Sequence, residues 1–228
     1  MDQKIRGVLF DLDGVLVDTA KYHYQAWSKL AESLGFSFSE EDNERLKGVS
    51  RAACLEILLT IGNVSLTEKE KEEAMAGKNA NYVDMISHMS PRGILPGVLE
   101  LLKELQEAGI KTALGSASRN APIILEKTGL KDYLDAVVDG NRTTQAKPNP
   151  EVFLLGASDL NLKPEECVVF EDAAAGIEAG IAGGMLTVGI GHKDQLGAAD
   201  ALFPDLNGIS WQMIKDSLEA HSGKNKEA

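Results

Sequence analysis

Short apolar runs alternate with amphipathic stretches over most of the chain, with one exception near its start. Gly7-Val8-Leu9-Phe10 is an unbroken apolar run closed by Asp11-Leu12-Asp13-Gly14, the pattern of a strand buried on both faces. From there to residue 91 the periodicity is helical. Helices are predicted over 19–34, 40–47, 51–61 and 67–88, with no strand among them. Thr19 is placed to cap the first and Gly35 to stop it. Thr67 and Glu70 form a capping box ahead of the last.

After Pro96 the pattern changes. Val98, Leu101, Leu102, Leu105 and Ala108 recur at helical spacing and end at Gly109. Strands predicted at 111–114, 136–138, 167–170, 186–190 and 201–203 then alternate with helices at 120–128, 150–159, 173–182 and 210–220, and the polar tail 221–228 is expected to fray. Strands separated by helices make a parallel sheet covered on both faces. The expected fold is an α/β doubly wound, Rossmann-like core domain over 1–17 and 92–228, with a helical cap domain over 18–91 inserted after the first strand.

Composition adds exclusions. The chain has 228 residues, 23 basic against 35 acidic, a net charge of −12. Such a surface argues against nucleic acid and against anionic lipid. The longest weakly apolar stretch, 173–191, contains Glu178 and six glycines, so no membrane span is expected. The apolar run before Asp11 is too short for a secretory leader. Cys54 and Cys167 stand far apart without zinc-type spacing, which suits a reducing compartment. A cytoplasmic protein, acting as a monomer on a small molecule, is the expectation.

Ligands of doubly wound sheets bind beyond the carboxyl ends of the strands. Asp11 and Asp13 follow the first strand and project to one side. Two carboxylates so close repel unless a cation joins them. Ser116 and Ser118 follow the second strand at a helix start, either a phosphate cradle or only a cap. Lys147, held between Ala146 and Pro148, can offer a point charge to a phosphoryl oxygen. Glu171-Asp172 follow the strand 167–170. With Asp11 and Asp13 they complete an oxygen-only ligand set suited to Mg²⁺.

The order Asp-x-Asp, Ser, Lys, Glu-Asp, carried by DLDGVLVDT, LGSAS, AKPNP and VVFEDAAAGIEAG, resembles the haloacid dehalogenase superfamily of phosphotransferases. The segments TAKYHYQAW, LKGVSR, GKNANY and GSASRN are similar to its β-phosphoglucomutase family over essentially the whole chain. That resemblance implies interconversion of β-glucose 1-phosphate and glucose 6-phosphate, with glucose 1,6-bisphosphate as primer and intermediate and one Mg²⁺ ion. It implies Asp11 as nucleophile and Asp13 as general acid–base, supported by Ser116, Lys147 and His23. The metal ligands would be Asp11, Asp13 through its main-chain oxygen, Glu171 and Asp172. Cap-side substrate contacts would come from Trp27, Leu46, Gly48, Val49, Ser50, Arg51 and Lys78. Core-side contacts would come from Ser116, Ala117, Ser118, Arg119 and Asn120, with Arg51 gripping the phosphate that is not transferred. Arg119 stands where the related pattern has Lys, and Gly115 and the segment 139–146 also depart from it.

Three alternatives use similar residues. A sugar-phosphate phosphatase would keep the strand-end set without needing Arg51. Phosphonate cleavage would use a Schiff-base lysine, for which Lys47 and Lys78 are of the right type but in the wrong motif. A receiver-like signalling domain would need neither the insertion nor this length.

Overall fold

The structure, a computed structural model of the 228-residue chain, describes residues 5–46 and 50–224. Its sheet has six strands: β1 (Gly7–Phe10), β2 (Lys111–Gly115), β3 (Ala136–Val138), β4 (Cys167–Glu171), β5 (Leu186–Ile190) and β6 (Ala201–Phe203). All pairings are parallel and the order is β3-β2-β1-β4-β5-β6. The chain builds outward from β1 in one direction, then returns past it to β4, which puts the crevice at the β1 and β4 carboxyl ends.

The helices of the sheet region are α5 (Val98–Glu107), α6 (Ala121–Thr128), α7 (Glu151–Asp159), α8 (Ala174–Ala182), α9 (Lys193–Leu196) and α10 (Trp211–Lys224). Alternate strand residues serve opposite faces. Val8, Phe10, Leu114, Val168 and Phe170 pack with Leu101, Leu105, Ile124 and Ile214, whereas Leu9, Ala113 and Val169 pack with Phe153, Ala157 and Ala179. Continuous apolar runs were therefore required: neither face of these strands meets water.

Between β1 and β2 lies the all-helical insertion of α1 (Ala20–Ser33), α2 (Glu40–Glu44), α3 (Arg51–Gly62) and α4 (Glu68–Ser87). It has a core of its own, built on Trp27, Phe38, Leu46, Leu55, Leu58 and Leu59. Tyr82 and Ile86, towards the end of α4, and Met89 just beyond it join the main core instead. The Thr67–Glu70 capping box is formed in full, with the Thr67 amide 2.7 Å from Glu70 Oε2.

Two expected boundaries move. α2 ends at Glu44 rather than 47, because the Arg45 and Leu46 amides bond three residues back, to Asp42 and Asn43, and such tightening turns Leu46 into the insertion core. The C-terminal helix continues through 221–224, where fraying was expected, and 225–228 lie outside the described residues. His221 there lies 3.7 Å from Asp200 beside the sheet edge. Among the described residues, no helix is long and apolar enough to cross a membrane.

Candidate active site

Strand register assembles the centre. Phe10 pairs with Leu114 on one side and Phe170 on the other, so the next residues, Asp11, Gly115 and Glu171, stand side by side. The Asp11 amide donates to the Phe170 carbonyl at 2.9 Å, which carries the β1 backbone one residue further along β4. Lys147 enters from the loop after β3. Its Nζ donates to Asp11 Oδ1 at 2.6 Å, Glu171 Oε1 at 2.5 Å and the Gly115 carbonyl at 3.0 Å. An ammonium has three hydrogens, and all three are used. Burial alone would lower the Lys147 pKa, but Asp11 and Glu171 outweigh it and hold the ammonium charged.

Glu171 is only 1% exposed. Burial raises its carboxyl above the usual range and Lys147 pulls it back. Its second oxygen accepts from the Asp172 and Ala173 amides at 3.0 and 3.1 Å. Asp11, Glu171 and Asp172 offer carboxylate oxygens all within 4.8 Å of one another. Two glycines keep the space for them. A Cβ on Gly176 would lie 1.9 Å from the Glu171 carboxyl, and one on Gly14, at φ +85°, would lie 2.1 Å from Asp172 Oδ2. A set of oxygen donors with room preserved around it fits a hard divalent cation.

Asp13 sits one turn further. Its amide donates to Asp11 Oδ2 at 3.0 Å, and its own Oδ1 accepts from the Thr19 hydroxyl. Its pKa is raised to about 6, first by burial and then by the negative charge of Asp11, against the pull of Thr19, Lys147 and Lys78. Thr19 is the N-cap residue of α1 as expected, yet its side chain caps nothing: the hydroxyl is committed to Asp13.

The loop after β2 rises in steps. Ser116, 1% exposed, accepts at Oγ from the Ser118 amide at 3.1 Å, and Ser118 Oγ accepts from the Asn120 amide at 3.3 Å. Accepting leaves the Ser116 hydroxyl hydrogen available to an anion. The Asn120 side chain then donates to Asn79 Oδ1 on α4 at 2.9 Å. The 139–146 segment, which departs from the related pattern, braces this loop. The Gly140 amide donates to the Ser118 carbonyl at 3.2 Å and Asn141 Nδ2 to the Arg119 carbonyl at 3.0 Å. A Cβ at Gly140 would lie 2.2 Å from the Ala117 carbonyl oxygen.

On the insertion side, Lys78 lies 3.1 Å from His23 Nδ1 and over the rings of Trp27 and Tyr82, at 4.6 and 4.9 Å. It is 4% exposed. Burial, then the charge of Arg51, lowers its pKa to about 8. Burial, then Lys78 and Arg51, lowers that of His23 to about 3. His23 is therefore neutral at pH 7, accepting from the ammonium at Nδ1. Its ring lies 4.2 Å from that of Tyr82.

The structure brings Asp11, Asp13, Ser116, Lys147, Glu171 and Asp172 together at the strand ends. Four of the residues expected at the site from the insertion are packed or paired within it. Trp27 and Leu46, expected at the substrate, are core residues of the insertion, because each fills the space between its helices. Lys78, expected to line the sugar pocket from the insertion side, is buried and turned to His23. His23, expected to position Asp13 on closure, is paired here with Lys78, and the Thr19 hydroxyl bonds Asp13. Ser50 caps α3 through the Ala53 amide at 3.3 Å. Arg51 follows it, half-buried and close enough to Arg119 for the two charges to repel. Ala117 and Arg119 are exposed, and Ser118 and Asn120 half-buried. Gly48 and Val49 lie outside the described residues.

The sequence marks Thr19 only as a cap, and it carries Asn79 and Tyr82 within GKNANY on the last helix of the insertion without a role for either. Tyr82 had a usable signal, standing four residues after Lys78 on one helix face. Its buried hydroxyl makes no hydrogen bond of normal geometry among the described residues, although Thr19, which gives its hydrogen to Asp13, stands beside it. For Thr19 there was none, since a cap residue six positions after Asp13 has no periodic relation to it.

A parallel sheet whose strand ends collect an aspartate pair, a serine, a buried lysine and two further acids is the scaffold of a phosphoryl-transfer enzyme. Residues 5–184 match the profile of the haloacid dehalogenase-like hydrolases. The chain is 39% identical to a β-phosphoglucomutase of Bacillus subtilis, over 95% of this chain and 97% of that one. It is 32% identical to hexitol phosphatase A of Escherichia coli, over 95% and 93%. A crystal structure of β-phosphoglucomutase from Clostridium difficile superposes with a TM-score of 0.89 at 38% identity, covering 95% of this chain and 98% of that one. The chain belongs to the haloacid dehalogenase-like hydrolase family, and it is an enzyme of the phosphotransferase type similar in fold to β-phosphoglucomutase.

Proposed function

We propose that this enzyme is a β-phosphoglucomutase, interconverting β-glucose 1-phosphate and glucose 6-phosphate through an aspartyl phosphate and β-glucose 1,6-bisphosphate. The observation that carries this reading is the insertion's buried Lys78–His23 pair, with Arg51 near it and Lys78 close enough to Asp13 for the opposite charges to attract. A second reading, a sugar-phosphate phosphatase, shares the strand-end residues and is supported by the similarity to hexitol phosphatase A.

In the proposed cycle Asp11 carries the phosphoryl group. Its carboxylate is ionised without help near neutral pH. In the first transfer, the 6-hydroxyl of glucose 1-phosphate attacks phosphorus as the bond to the Asp11 oxygen breaks, and Asp13 takes the hydroxyl proton. The bisphosphate turns round. Asp11 then attacks the phosphorus at C1, that P–O bond breaks, and Asp13 returns its proton to the departing sugar oxygen. A carboxyl with a pKa of about 6 can do both near neutral pH.

Mg²⁺ held by Asp11, Glu171, Asp172 and the Asp13 main-chain oxygen would supply neutralisation of charge on the transferring group. Ser116 and Lys147 would position its other oxygens, and Arg51, Ser118, Arg119 and Asn120 the second phosphate. Residues 18–91 would act as a cap over a core of 1–17 and 92–228, admitting sugar while keeping water from the phosphoenzyme. Gly48 and Val49 would complete its substrate loop. We take the enzyme to be a monomer, and we assign it to the cytoplasm because Cys54 and Cys167 form no disulfide.

A chase of the phosphoenzyme tests this reading. Protein loaded from glucose 1,6-bisphosphate should carry one phosphoryl group by mass, absent in Asp11→Asn. Adding β-glucose 1-phosphate should then discharge it to a bisphosphate much faster than water discharges it. Equal rates with and without sugar would favour the phosphatase.

A further inference from the structure

Among the described residues, two side-chain hydrogen bonds join the helical insertion to the strand-end loops. One is Thr19 to Asp13, beside the connection between insertion and sheet. The other lies across the site, where Asn120 Nδ2 donates to Asn79 Oδ1 at 2.9 Å. The second is the end of a continuous series. The Ser118 amide bonds Ser116 Oγ, the Asn120 amide bonds Ser118 Oγ, and the Asn120 side chain reaches α4. Asn79 thus ties α4 to the loop that follows β2.

What α4 carries makes that tie consequential. Asn79 is next in sequence to Lys78 and three residues before Tyr82. Lys78 and Tyr82 enclose His23, at 3.1 Å to its nitrogen and 4.2 Å to its ring. A helix is stiff over one turn, so any slide or roll of α4 at Asn79 moves both. The Asn120 amide also has two hydrogens. One goes to Asn79, and the other is thereby aimed in a fixed direction.

We infer that Asn79 is a positioning residue: its carboxamide oxygen orients the Asn120 amide and seats α4 on the strand-end loop. Seating brings the cap-borne groups over Asp13. It therefore governs how the phosphoryl group divides between sugar and water. The inference rests on the mutase reading above, though the seating itself does not.

Asn79→Ala and Asn79→Ser both lack an oxygen that reaches Asn120, whereas Asn79→Asp keeps one. Loss of one such bond corresponds to about a three- to tenfold change. Transfer to sugar should fall by that factor in kcat for the Ala and Ser variants, with KM changed less. The fraction released as inorganic phosphate should rise correspondingly, and Asn79→Asp should restore it. Unchanged partition in both truncated variants, or no restoration by Asp, would overturn the role.

Amide hydrogen exchange without substrate tests the seating separately. Exchange across 116–121 and along α4 should quicken in the truncated variants and return in Asn79→Asp. No change there would overturn the seating whatever the substrate is. A wild-type enzyme that yields only inorganic phosphate would refute the mutase reading and leave the exchange result standing.

Discussion

Lys147 stands between Asp11 and Glu171, its Nζ 2.6 Å from one carboxylate and 2.5 Å from the other. The lysine serves as the resident countercharge of the strand ends. Replacing it with Met leaves two buried acids facing each other without compensation, at a cost of about 3–5 kcal/mol. Thermal unfolding of Lys147→Met should show that loss, and millimolar Mg²⁺ should recover more stability for the variant than for wild type. Equal gains from Mg²⁺ in the two proteins would deny the cation a place beside these acids.

Tyr82 separates a ring from a hydroxyl. The ring is 1% exposed and packs against His23, while the hydroxyl, beside Thr19, makes no hydrogen bond of normal geometry among the described residues. Tyr82→Phe should match or exceed wild-type stability, because it removes a buried polar group that gains nothing there. Tyr82→Ala should lose about 3–5 kcal/mol from the cavity. Denaturant midpoints of the pair distinguish them; a Phe variant as unstable as the Ala variant would show that the hydroxyl is bonded after all.

His23 makes stability depend on acid. Its pKa is lowered in the fold from 6.5 to about 3, by burial and by Lys78 and Arg51, while its other ring neighbour, Tyr82, is neutral at these pH values. A lowered histidine favours the fold above 6.5 and loses that contribution as pH falls towards 3. Between pH 7 and 5 the loss from this residue is about 2 kcal/mol. Urea titrations should find the drop reduced by that amount in His23→Gln. Equal drops in wild type and variant would place the acid sensitivity elsewhere.

Gly176 guards the Glu171 carboxyl by having no Cβ, since one would lie 1.9 Å away. Gly176→Ala should cost about 1–3 kcal/mol through overpacking. It should also weaken Mg²⁺ binding, read by calorimetry, because the carboxylate must turn away from Asp11 and Asp172. Undiminished binding would remove Glu171 from the cation site.

Much of this was legible from local pattern. The run 7–10 is a strand at those residues, the 67–70 capping box forms, and each acid, serine and lysine at the strand ends lies where order along the chain implied. These signals are short-range, or follow from the parallel sheet as a class. What escaped depends on contacts between distant segments. Trp27 and Lys78 are of types that suit either a sugar pocket or a core, and they meet across 50 intervening residues. Thr19 looked like a cap because the position suits one, until Asp13 competed for its hydroxyl. The one-turn helix α9 at Lys193–Leu196 is too short to show periodicity, and the Asn79–Asn120 bond joins two polar residues that pattern alone would leave in water.

The central claim is that the phosphoryl group returns to sugar. Phosphorus NMR of wild-type protein with Mg²⁺, β-glucose 1-phosphate and a trace of glucose 1,6-bisphosphate follows both fates in one tube. The account predicts conversion of the glucose 1-phosphate signal into that of glucose 6-phosphate, with inorganic phosphate a minor product. Accumulation of inorganic phosphate as the main product, with little glucose 6-phosphate, would contradict it.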